Sequence, residues 1–111
     1  MNSINPNSEV SRGGSPIDLA TAVAWTGAYQ EAHHGELRSC YFSAEVFQAL
    51  LNQAGTKGIR IYLANNGTND CMILASATPD QDFTASEYQL YEYGRCCPPY
   101  CPTESRLNHN Y

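Results

Sequence analysis

Five cysteines and three histidines are the residues of this chain with the most scope for chemistry. Cys40, Cys71, Cys96, Cys97 and Cys101 are many for 111 residues, and their number is odd. Cys97 and Cys101, separated by Pro98-Pro99-Tyr100, lie close enough across a tight turn to form a disulfide, whereas Cys71 opens an apolar run and reads as a small buried hydrophobe. His33, His34 and Cys40 could join Cys97 and Cys101 in a mixed Cys/His tetrahedron for zinc, the one cofactor these residues suggest. The spacing lacks the two short hooks of a structural zinc site. The plainer reading puts the adjacent histidines on the surface at a helix end, where a cation suits the dipole.

Catalysis finds no foothold in the pattern. A reactive thiol needs an activating histidine or a helix N-terminus, and Cys-Cys-Pro-Pro-Tyr-Cys is not the Cys-x-x-Cys of thiol-redox domains. The carboxylate pairs Asp80/Asp82 and Glu87/Glu92 fall in turns or on polar faces, without the burial that shifts an acid toward acid/base work. No phosphate-binding loop, nucleophile elbow or metalloprotease motif is present, so no small-molecule substrate is identifiable.

Charge narrows the partners. Eleven carboxylates oppose six basic residues for a net −5, and Arg12, Arg38, Lys57, Arg60, Arg95 and Arg106 are scattered. A nucleic-acid surface needs clustered cations to displace counterions, and anionic membranes make the same demand, so neither is a partner by this reading. No run approaches the roughly 18 apolar residues that span a bilayer. The polar start lacks a secretory signal, which gives a cytoplasmic reading and leaves export by a signal-less route open. Tyrosine is abundant: Tyr88, Tyr91, Tyr93, Tyr100 and Tyr111 crowd the C-terminal quarter. Such rings supply contact area at low entropic cost, which makes them interface candidates and the chain itself the favoured partner. The competing reading has them covering a small core.

These residues are positioned by a single domain over 15–111, preceded by a polar arm over 1–14 with too few apolar residues to order itself. Ser15 as N-cap and Pro16 at the first helical position predict a helix through about His33, ended by Gly35. Ser43 caps a second helix carrying Val46, Phe47, Leu50 and Leu51, ended by Gly55. From Gly58 the period becomes two, so Ile59, Ile61 and Leu63 should face the helices and Arg60 and Tyr62 the less buried side. Asn66-Gly67 connects this strand to the apolar Cys71–Ala77 strand. A capping box of Thr84 and Glu87 inside a Phe83/Tyr88 staple predicts a short helix ending near Gly94, with a strand as the alternative. The fold class is therefore α+β: two N-terminal helices packed on a small antiparallel sheet, with a Pro/Cys-rich tail laid across it.

The set Tyr41-Phe42, the Leu-rich helix, Gly55-Thr56-Lys57-Gly58-Ile59-Arg60-Ile61-Tyr62, Cys97-Pro98-Pro99-Tyr100-Cys101 and Leu107-Asn108 resembles a family of small uncharacterised bacterial proteins. The likeness runs from about Ile17 to Asn108. It implies a common fold and transfers no activity. The chain departs from the family's pattern at Thr56, where a cysteine is expected, and at Ser43, where a glycine is; any bond from position 56 to a tail cysteine is absent here. The functional expectation is a non-enzymatic structural or self-assembling protein, a subunit of a homo-oligomer or filament. The alternative is a small zinc-binding or thiol-redox domain using Cys97 and Cys101.

Overall fold

A computed structural model describes residues 12–109, so most of the 1–14 arm, and Tyr111 among the interface candidates, lie outside the described residues. Seven elements follow in order: α1 (Leu19–Ala32), β1 (Ser39–Tyr41), α2 (Ala44–Leu51), β2 (Gly58–Asn65), β3 (Asp70–Thr78), β4 (Gln81–Asp82) and β5 (Arg95–Cys97). The class is α+β, with one antiparallel sheet ordered β2-β3-β4 and a second made of β1 and β5.

Helix α1 begins three residues later than the Ser15-Pro16 signal predicts. Asp18 is the N-cap, its carboxylate accepting the Thr21 N–H at 2.7 Å, and an ionised acid at this position also suits the helix dipole. That capping bond holds the Asp18 carboxyl below its usual range. In α2 the expected Ser43 cap forms, accepting from Val46 N–H. Gly35 and Gly55 follow their helices at φ +78° and +82°, in the left-handed region open to residues without a Cβ.

Strand β3 is central. Its register with β2 runs from Gly58 opposite Ala77 to Asn65 opposite Asp70, closed by a loop in which the Asn66 side chain accepts from Thr68 and Asn69 N–H groups. On the other edge β4 pairs at Ala77 and Thr78, and Tyr91 exchanges both backbone hydrogen bonds with Leu74. This exchange replaces the helix predicted over Thr84–Gly94. One turn closes there from Tyr88 N–H to Ala85 C=O, and the Phe83 and Tyr88 rings stack with centroids 4.8 Å apart. The staple residues meet, but an open backbone edge on β3 competes for the following segment and draws it into extended pairing.

The apolar face of β2 is less covered than its alternation predicts. Ile59 stands opposite Ser76, whose buried hydroxyl donates to the Leu50 C=O of α2, so Ile59, Ile61 and Leu63 do share the helix-bearing face. Yet α2 covers only that end: Ile61 is 53% and Leu63 77% exposed, more than Tyr62 at 46% on the opposite face. Helix α1, expected to pack on the sheet as well, docks instead on the C-terminal tail. Among the described residues the buried apolar ones are Leu50, Cys71, Leu74, Ala75, Ala77 and Cys97, a core dominated by small side chains.

Facing the helices does not make Ile61 a core residue, and burial decides the stability consequence. Replacing buried Leu74 with Ala should cost about 2–5 kcal/mol. Ile61→Ala, removing a side chain already half in water, should cost about 1 kcal/mol or less in chemical denaturation of the monomer.

Candidate functional site

Helix α1 is held at a distance from the sheet by the tail. The buried Gln30 amide donates to Leu107 C=O at 3.0 Å and accepts from His109 N–H at 2.8 Å, satisfying both of its ends on backbone that has no ladder of its own. The His109 imidazole lies against Gly27 and within 3.2 Å of the Thr26 hydroxyl. Arg38 donates to the Asn108 side chain and to His109 C=O. Between α1 and the sheet this leaves a cleft of about 780 Å³, whose walls include Trp25 and Tyr29 on the helix, Leu37 in the following loop, and Leu63 and Met72 on the strands. Its lining is mainly apolar, with Glu36, Arg38 and Asp70 at its polar margins.

The second unit is built by cysteines. Cys40 and Cys96 face each other in the β1–β5 register and are joined, and Cys97 is joined to Cys101. The Arg38 N–H donates to Cys97 C=O, extending this ladder toward the residues that grip the tail. Gly94, just before β5, admits the Phe42 ring so closely that a Cβ would stand 2.6 Å from it. Cys71 remains a thiol, buried at the head of β3, and burial together with the Glu92 and Asp70 carboxylates pushes its pKa up, away from reactivity.

The zinc set is not assembled. Cys40, Cys97 and Cys101 are engaged in disulfides, and the His33 ring stacks on Tyr29 while its Nδ1 contacts Tyr29 C=O. His34 lies beside it in the turn leaving α1, and no group of three metal-binding side chains forms among the described residues. A disulfide consumes the thiolates that tetrahedral zinc requires.

On the opposite face of β2, Arg60 forms an ion pair with Asp82, and the Tyr62 hydroxyl donates to the other oxygen of the same carboxylate. Arg60 also donates to Thr78 and Pro79 C=O, tying β2 to the β3–β4 turn. The Tyr62 bond and then the Arg60 bond hold the Asp82 carboxyl below its usual range, while the bond to Asp82 raises Tyr62. In the sequence Asp82 reads only as one of a pair with Asp80 in a turn. Nothing local could reveal its partners, because they lie about twenty residues upstream and meet it only through the β2–β3 register.

The candidate tyrosines separate. Tyr88 is structural, donating to Ala54 C=O and stacking on Phe83, and Tyr91 is bound into the bridge to Leu74. Tyr93 is 92% exposed at φ +66°, a conformation unfavourable for a bulky side chain, and Tyr100 is exposed beneath the Arg95 guanidinium at 4.9 Å. No helix among the described residues is long and apolar enough to cross a membrane.

No family model, curated protein or solved structure matches the chain.

Two measurements check this arrangement. Non-reducing mass spectrometry should show Cys40–Cys96 and Cys97–Cys101 linkages, with one thiol that titrates only after unfolding. The Asp82 pKa is lowered on folding, so its contribution is present above the ordinary carboxylate range and lost as pH falls through the folded value. The stability gap between wild type and Asp82→Asn should therefore hold from neutrality down to about pH 5 and close below about pH 4. Tyr62 is raised, so the gap to Tyr62→Phe should persist at neutral pH and shrink as pH climbs beyond about 10.

Proposed function

We propose that the protein is a non-enzymatic, self-assembling structural subunit. The observation that carries this reading is the mismatch between core and surface. The buried apolar set contains only two large side chains, Leu50 and Leu74, whereas fourteen large hydrophobic residues are exposed among the described residues. Trp25, Ile61, Leu63 and Met72 belong to one side of the sheet and its facing helix, where the cleft between α1 and β2 leaves apolar surface uncovered. Contiguous apolar surface of this kind marks an association site in a chain that must remain soluble. The net charge of −5 opposes association, so the contact must come from this apolar surface and should strengthen as salt screens the repulsion.

Two of the motifs on which the chain resembles small bacterial proteins take part in this reading. The Gly58–Tyr62 motif supplies the exposed strand, and the Cys97–Cys101 segment supplies a cross-linked support for the tail that holds α1.

Sedimentation velocity across 1–100 μM, as an order-of-magnitude range around typical affinities, should show concentration-dependent association. Leu63→Lys should weaken it without lowering monomer stability, because that side chain is 77% exposed in the single chain. A monodisperse monomer throughout would sink the proposal.

A further inference from the structure

The outer edge of β2 carries backbone groups with a definite direction. Leu74 exchanges both its backbone bonds with Tyr91, and Ser76 C=O accepts from Phe83 N–H, so these residues of β3 turn their polar groups away from β2. Their partners in register are Ile61 and Ile59, and Leu63 stands opposite Met72. In an antiparallel ladder, paired residues alternate between exchanging both hydrogen bonds and exchanging none. Gly58, Arg60, Tyr62 and Ala64 therefore bond to β3, while Ile59, Ile61 and Leu63 direct N–H and C=O outward. Among the described residues none bonds to those outward groups. The strand is eight residues long, contains no proline, and has its one arginine engaged by Asp82. It lacks the features that usually protect a sheet edge.

We propose that this edge pairs antiparallel with the same edge of a second copy, about a two-fold axis passing at Ile61; the inference rests on the self-assembly reading and gives it a surface and a register. With Ile61 opposite the partner's Ile61, Ile59 meets the partner's Leu63 and Leu63 the partner's Ile59. Every outward backbone group of the three residues is then satisfied, and all their side chains lie on one face of a continuous six-stranded sheet. Arg60 stands opposite the partner's Tyr62. Sliding the pairing by one step of two residues is worse in either direction: one sets Arg60 against the partner's Arg60, and the other sets Ile59 against the partner's Asn65. Like charges directly opposite destabilise a ladder, and the polar mismatch forfeits apolar contact. The chosen register also brings the α2-covered end of the partner beside Leu63, the most exposed of the strand's large apolar side chains. Because the same patch is used on both copies, the product of this contact is a closed dimer.

Hydrogen exchange followed at several protein concentrations reads the proposal directly. The amides of Ile59, Ile61 and Leu63 should slow as concentration rises, at least tenfold where dimer predominates. Those of Arg60 and Tyr62, bonded within the chain, should be protected throughout. Ile61→Pro removes an outward N–H that makes no bond to β3, so it should raise the dimer dissociation constant at least tenfold while circular dichroism of the monomer is retained. Leu63→Lys should do the same and guards against a folding defect in the proline variant. If wild type associates while both variants associate equally well and the three amides stay fast, the β2 edge is wrong and self-assembly stands through another surface. If wild type stays monomeric, both readings fall.

Discussion

The Ser76 hydroxyl is the junction on which the arrangement of α2, β3 and the returning chain depends. It is fully buried, donates to Leu50 C=O at 2.6 Å, and accepts from the Gln53 amide at 2.7 Å. The same Gln53 side chain donates to Gln89 C=O and accepts from Gln89 N–H, so one serine and one glutamine connect the helix end, the central strand and the segment leading to Tyr91. A buried polar group left without its partner costs about 1–3 kcal/mol, which makes this junction selective for one packing of α2.

Gln30 plays the corresponding part at the other end of the molecule. There, too, a side-chain amide spans two backbone groups, and it holds irregular chain against a helix. The composition, poor in charge and in large buried side chains, thus finds its structural expression in amides that satisfy backbone where a larger apolar core would normally fix the elements. The disulfides complement them by restricting the tail that Gln30 grips. Cross-links of this kind matter most in small domains whose burial is limited.

The economy has a cost on the sheet. With α2 covering one end and α1 drawn off by the tail, the β2 face keeps its apolar character without a cover from the described part of its own chain. Arg60, Tyr62 and Asp82 secure the opposite face, so the two sides of one strand serve different purposes: one fastens the β3–β4 turn, the other remains open.

Local sequence determined what depends on nearest neighbours. Ser43 and its following apolar stripe specify α2, the period-two run specifies β2, and Asn66-Gly67 specifies the hairpin, because each signal acts within a few residues through capping, alternation or turn geometry. The proximity of Cys97 and Cys101 was legible for the same reason. Tertiary structure decided the rest. Tyr91 joins β3 in place of a helix, and Cys40 meets Cys96 across 56 residues. Asp82 finds Arg60 and Tyr62, and the β2 alternation yields an open face because α1 is anchored to Leu107 and His109. Each of these outcomes is a competition between segments distant in sequence for the same backbone groups or the same surface, and its winner is set only when the chain has brought the competitors together.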